Sequence, residues 1–167
     1  VYKRQIGTRP VGMHLDARAK MGAEISIDNG YITAHCNHLK GCQINFDTTT
    51  VTGTENILMA SCLAKGTTII SNAAMEPEVI DLANFLIEMG ADITGHGTST
   101  ITVNGVDELN GVSYTALPDR IETGTFLVAA AITGGRVTLK NAIYSHVEVI
   151  VEILREAGAE ITYTDKT

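Results

Sequence analysis

The sequence is short of positive charge and of paired cysteine. Its 12 lysines and arginines stand against 19 aspartates and glutamates, a formal net charge of -7, and they form no basic run or stripe. A protein that grips a phosphate backbone needs clustered cations, so no nucleic-acid partner is expected, and any anionic ligand must be held by local donors. No run approaches the ~20 apolar residues needed to cross a bilayer, and no basic-then-apolar signal opens the chain, so no membrane partner is expected. Cys36, Cys42 and Cys62 lack C-x-x-C spacing, and no Asn-x-Ser/Thr acceptor occurs. Both absences fit a reducing, cytoplasmic setting. His35, Cys36, His38 and Cys42 lie close in sequence but match no zinc-ligand spacing, so no metal is expected.

What is present is globular. A hydrophobic share of 44% and a charged share of 19% over 167 residues allow one domain with a sizeable core, or pieces of two. The chain opens Val1, Tyr2, Lys3 and stops at Thr167 just after a predicted strand, which leads us to expect an internal piece of a longer protein.

The chain repeats itself. GTTIISNA (66–73), followed by a helical stretch ending LIEMGADI (86–93), recurs as GRVTLKNA (135–142), followed by a helical stretch ending LREAGAEI (154–161). A third ending, AKMGAEI, lies at 19–25, so Gly22, Gly90 and Gly158 fall 68 residues apart. The intervening halves repeat as well: TGTENILMASCLAKG (52–66) aligns with IETGTFLVAAAITGG (121–135), each a polar lead-in, a nearly all-apolar helix and a glycine stop. In the other helix, Pro77 suits the first position, Glu78 the first turn and Gly90 a left-handed stop, while Val79, Leu82, Ala83 and Leu86 make one apolar face. ISIDNGYITAHC (25–36) and TSTITVNGVDEL (98–109) alternate around Asn29-Gly30 and Asn104-Gly105 and predict two strand–turn–strand units. An apolar helix must be buried all round, and an amphipathic one on one side only. The pattern therefore predicts helices inside and sheets curled around them, the inverse of a doubly wound fold.

The polar lead-ins have two readings. Asp119 with Glu122, and Thr52 with Glu55, have capping-box spacing. The mouth of a buried helix also carries partial positive charge, and with Arg120 and the hydroxyls of Thr49, Thr50 and Thr52 around it, it could hold an anion. Glu76 and Glu78 either neutralise a helix dipole or supply a carboxylate for acid or base work. Gly95, His96 and Gly97 do not complete a phosphate-loop fingerprint and are read as a hairpin-edge turn.

GTRPV (7–11), TENILMA (54–60), GTTIISNAAMEPEVIDLANFL (66–86) and LPDRIETGTFLVAAAI (117–132) together resemble the UDP-N-acetylglucosamine 1-carboxyvinyltransferases, a family of enolpyruvyl transferases, from Ile6 to about Ile161. The resemblance implies an α/β fold, the inverse α/β barrel built from repeated helix–strand units, present here incompletely. Residues 1–117 would be most of one barrel domain and 118–167 the start of a repeat of the second. It implies transfer of the enolpyruvyl group from phosphoenolpyruvate to the 3'-hydroxyl of UDP-N-acetylglucosamine with release of phosphate, the first committed step of peptidoglycan synthesis. Those two small molecules are the implied partners, and no metal or organic cofactor is implied. By position, Arg9, Pro10, Val11 and Met13 match the segment that packs on the uridine, and Thr50, Val51 and Thr52 the loop that holds the diphosphate. Glu76 and Asp119 match acidic positions of the interdomain cleft, where proton handling and active-site organisation belong. This sequence departs from the family in four places. Arg4 stands where a Pro-Gly-Gly-Cys motif has its cysteine, Gly12 where Asp is usual, Met75 where Arg is usual, and Thr52 where many members have Gly. A catalytically inactive sugar-nucleotide-binding paralogue and the related 3-phosphoshikimate enolpyruvyl transferase remain as alternatives, the LPDRIETGTFL match arguing against the latter. This piece by itself is expected to turn over no substrate, because catalytic groups from both domains must converge.

Overall fold

A computed structural model describes residues 11–164. Arg4, Arg9 and Pro10 therefore lie outside the described residues. The chain divides between Tyr114 and Thr115 into two compact units.

In the first unit the order is α1 (Gly12–Lys20), β1 (Glu24–Asp28), β2 (Tyr31–His35), β3 (Gln43–Asn45), α2 (Val51–Ser61), β4 (Thr67–Ser71), α3 (Pro77–Glu88), β5 (Asp92–Thr94) and β6 (Thr100–Asn104). Strands β1 and β2 form an antiparallel hairpin whose turn is Asn29-Gly30, both residues at positive φ (48° and 81°) as the expected tight turn requires. The other four strands form a sheet in the order β3-β4-β6-β5, with β3 parallel to β4 and the remaining pairs antiparallel. Alternation sorts its faces. Ile44, Ile70, Ile93, Ile101 and Val103 point into the core, while Gln43, Asn45, Thr67, Asp92, Thr100 and Asn104 face solvent.

Helix α2 packs on β4 and β6, α3 on β5, and α2 lies against both α1 and α3. Ile57 and Leu58 of α2 are 0% exposed, so this helix is the centre of the unit and the sheet is its outer wall. Each such side chain contributes roughly 1.5–3 kcal/mol by leaving water. Polar groups in the buried stretch turn back onto their own helix: Thr54 Oγ1 donates to the Thr50 carbonyl (2.7 Å), and Ser61 Oγ to that of Ile57 (2.7 Å). On α3, Val79, Ala83 and Leu86 are buried, which is the expected apolar face.

The repeat shows in the helix ends. Gly22, Gly90 and Gly158 have φ of 96°, 104° and 98°, and after each the next amide reaches back to the carbonyl five residues earlier (Ala23 to Arg18, Ala91 to Leu86, Ala159 to Leu154). This is one stop used three times.

Three expectations fail, each because of a partner elsewhere in the chain, present or lacking. No strand follows Asn104-Gly105, because β6 pairs instead with β5 across the Gly95–Ser99 turn, and the Gly105 amide donates to the Gly66 carbonyl (3.0 Å). A β-carbon at Gly105 would collide with the Ala64 carbonyl, so the glycine serves close packing rather than a turn. In the second unit, α4 (Arg120–Thr133), a 3-10 turn (Tyr144–His146) and α5 (Glu148–Glu156) form, but no strand is found at 135–142 among the described residues. Among the described residues of the unit no second strand offers that segment a ladder. For the same reason α4 is not buried all round. Gly124, tight against Ile150 of α5, is its one buried residue, while Phe126 is 50% and Ile132 82% exposed. The sheets do not close into a barrel among the described residues, in keeping with the expected incomplete fold.

Candidate active site

The expected anion-binding loop is the entry to α2. Thr50, and not Thr52, is the N-cap: its backbone is extended (φ -141°, ψ 122°), and its Oγ1 accepts the Gly53 amide (3.2 Å). The capping-box expectation was shifted by two residues. Thr50 aligns with Asp119 of the other copy, so the two caps are equivalent positions in the repeat. They differ in charge. Asp119 Oδ1 accepts from the Ile121 amide (2.7 Å) and the Glu122 amide (3.2 Å), which places a carboxylate on the mouth of α4. Thr50 is neutral, α2 carries no acid in its first turn, and the amides of Val51 and Thr52 meet no acceptor among the described residues. An anion therefore has free donors at α2, whereas α4 already holds its own.

The start of α3 lies beside this mouth. Glu76 is its N-cap (φ -62°, ψ 151°) without a side-chain cap bond, and Pro77 follows at the first helical position. Burial pushes the Glu55 carboxyl of α2 above the ordinary carboxylate range, and the charges of Glu78 and Glu76 push it further. Thus Glu76 and Glu78 stand close enough to the first turns of α2 to act on it electrostatically.

Val11 immediately precedes α1 and is exposed, while Met13 is half-buried against the core. Met13 also lines a hollow with Asp16 and Lys20 of α1 and with Phe46 and Asp47, just ahead of Thr50. The first unit places Met13 on the first turn of α1, Thr50, Val51 and Thr52 at the start of α2, and Glu76 at the cap of α3. Asp119 belongs to the second unit, where it caps α4. Gly12 borders open space, so nothing in the packing requires a glycine there, and Met75 is 55% exposed ahead of Glu76.

Asn72 was not singled out from the sequence. Its φ of 56° puts it in the left-handed region, and its side chain spans two loops: Thr49 Oγ1 donates to Oδ1 (2.7 Å), and Nδ2 donates to the Phe46 carbonyl (2.8 Å). An Asn ending a strand ahead of two alanines was the available signal, since Asn tolerates this backbone region better than most residues. Among the described residues no three His, Cys, Asp or Glu side chains gather as a metal site would need.

The sequence profile of the EPSP synthase (3-phosphoshikimate 1-carboxyvinyltransferase) family matches residues 3–167. The chain is 56% identical over 156 residues to the UDP-N-acetylglucosamine 1-carboxyvinyltransferase of Ruthia magnifica subsp. Calyptogena magnifica, covering 93% of this chain and 37% of that protein. It is 52% identical over 160 residues to the protein of the same name from Geotalea daltonii (strain DSM 22248 / JCM 15807 / FRC-32), covering 96% of this chain and 38% of the relative. The chain thus spans little more than a third of the length of these relatives. Its fold superposes on EPSP synthase from Acinetobacter baumannii with a TM-score of 0.67 at 26% identity, over 92% of this chain and 36% of that structure.

Proposed function

The chain belongs to the EPSP synthase (3-phosphoshikimate 1-carboxyvinyltransferase) family, and from that premise we propose that the protein carrying it transfers the enolpyruvyl group from phosphoenolpyruvate to UDP-N-acetylglucosamine. The acceptor is that of the relatives at 52% and 56% identity. The reaction adds the sugar 3'-hydroxyl to C2 of phosphoenolpyruvate while C3 takes a proton. The resulting tetrahedral adduct then loses phosphate from C2 and a proton from C3. No electron is gained or lost, so the chemistry reduces to placing an anionic acceptor and moving protons.

The observation that carries this reading is the mouth of α2. It has a neutral cap and two amides without an acceptor among the described residues, which suits a diphosphate in a chain of net charge -7. Thr50, Val51 and Thr52 are assigned to the diphosphate. Arg9, Pro10, Val11 and Met13 are assigned to the uridine, with the hollow beside Met13 supporting the last of them. Glu76 and Asp119 are assigned to proton handling and to organising the site. Residues 1–117 are taken as most of one domain and 118–167 as the start of a repeat of the second, and the isolated piece as inactive. Peptidoglycan synthesis in the cytoplasm is the proposed setting; among the described residues no helix is long and apolar enough to cross a membrane.

Phosphate release from phosphoenolpyruvate by the whole protein tests the reading. Release that requires UDP-N-acetylglucosamine supports it. Release that requires 3-phosphoshikimate instead, the acceptor favoured by the family's description, overturns it. Binding of the sugar nucleotide without release would mark an inactive paralogue, the outcome toward which Arg4, Gly12 and Met75 point.

A further inference from the structure

Two loops meet at the mouth of α2. One runs from the end of β3 through Phe46, Asp47, Thr48 and Thr49 to the Thr50 cap, and the other leaves β4 through Asn72 toward Glu76. Beyond this meeting the second loop is tied by the Ala73 amide to the Ser99 carbonyl (3.0 Å). Backbone pairing between the two loops is thin at this point, with the Phe46 amide on the Ser71 carbonyl (3.2 Å). Side chains make the remaining ties. Asn72 takes the Thr49 hydroxyl on Oδ1 (2.7 Å) and gives Nδ2 to the Phe46 carbonyl (2.8 Å). Buried Thr54 gives its hydroxyl to the Thr50 carbonyl (2.7 Å) and accepts the Ala74 amide (3.0 Å).

The Asn72 arrangement carries a conformational cost. An L side chain at φ 56° is strained, and Gly would sit there more easily. The amide repays that strain with two bonds that only an amide at this place makes together, one accepted and one donated. Aspartate would keep the shape and the tolerance for positive φ but could not donate to Phe46.

We propose that Asn72 is a positioning residue for sugar-nucleotide binding: through Thr49 and Phe46 it fixes the loop that ends in the α2 cap, so that the Val51 and Thr52 amides are aimed before the diphosphate arrives. This rests on the assignment of that helix mouth to the diphosphate. The residue touches neither substrate and acts through the loop it holds. Loop and cap are then preorganised, and affinity rises because less ordering remains for the ligand to drive.

The test uses the whole protein, with UDP-N-acetylglucosamine affinity measured by calorimetry and steady-state kinetics for both substrates. Asn72→Asp, Asn72→Ala and Thr49→Ala should each weaken sugar-nucleotide binding about tenfold, the upper end of the scale of one lost hydrogen bond. The KM for phosphoenolpyruvate and kcat should stay within about threefold of the parent, because uniform acceptor binding is what is lost. Asn72→Ala combined with Thr49→Ala should cost little more than Asn72→Ala alone, since that variant already breaks the Thr49 link. Thr49→Ser keeps the hydroxyl and should restore parental affinity. Thr49 is exposed, so its variants fold even if those at Asn72 do not. Parental affinity in Thr49→Ala and Asn72→Asp overturns the proposal, as does an equal loss of kcat and of both substrates' affinities, which a merely structural role would give. A parent protein without affinity for UDP-N-acetylglucosamine overturns the diphosphate assignment itself, a failure that the parent alone reveals.

Discussion

The hydroxyl of Tyr114 donates to Asp81 Oδ1 at 2.7 Å, and its ring packs against Phe85 with centroids 5.2 Å apart. The last residue of the first unit is thereby fastened to α3. The hydrogen bond to Asp81, then desolvation and the neighbouring negative charge, push the phenol from 10.0 up to about 12. An unfolded chain releases this proton near 10 while the folded one holds it. Stability from this group is therefore complete below about pH 10 and declines as pH rises toward 12. Tyr114→Phe should cost about 1 kcal/mol at neutral pH and flatten that alkaline decline. Urea unfolding of the whole protein on either side of pH 10 measures both, and an unchanged decline in the variant would remove Tyr114 as its source.

Glu55 has the opposite consequence for design. Its carboxyl is raised by burial and by Glu78 and Glu76, so the folded state binds this proton more tightly than the unfolded chain does. Stability from this group is fully present below the ordinary carboxylate value and is lost as pH rises through the raised one. Glu55→Gln should therefore be more stable than the parent at neutral pH and no more stable at acid pH. Thermal melts across that range decide it, and a variant less stable at neutral pH would contradict the assignment.

Cys36 and Cys62 should separate by reactivity. Cys62 is 0% exposed, and burial holds its thiol at about 11, so almost no thiolate exists at neutral pH. Cys36 is exposed, its Sγ donating weakly to the Gly22 carbonyl (3.5 Å). A disulfide reagent at neutral pH should label Cys36 in the native protein and Cys62 only with denaturant. Labelling of both at one rate would mean that the core around α2 opens readily.

Gly105→Ala should destabilise the first unit by roughly 2–4 kcal/mol, because the new methyl group meets the Ala64 backbone, which has no rotamer to yield. Chemical denaturation checks this, and a loss below about 0.5 kcal/mol, the scale of an ordinary surface substitution, would show that the approach relaxes at no cost.

Local rules carried much of this fold. Gly22, Gly90 and Gly158 end helices as their spacing implied, Asn29-Gly30 turns a hairpin, and Pro77 opens α3. Where the outcome depended on partners distant in sequence, the local pattern misled. Asn104-Gly105 reads as a turn, yet β5 claims β6 and Ala64 claims the glycine's space. The segment 135–142 copies β4 in sequence but lacks a neighbouring strand in its unit. Apolar α4 reads as buried, yet within its unit its main packing partner is the single helix α5. At the candidate site the threonine-rich lead-in was visible, but whether Thr50 or Thr52 caps depends on where the helix begins, which spacing leaves uncertain by a residue or two. The bridge from Asn72 to Thr49 joins loops 23 residues apart and leaves no periodic trace.

The most direct test is where the sugar nucleotide binds. In a crystal structure of the whole protein with UDP-N-acetylglucosamine, diphosphate oxygens should lie about 3 Å from the Val51 and Thr52 amides, at the mouth capped by Thr50. A diphosphate bound away from α2, with those amides turned to water, would contradict it.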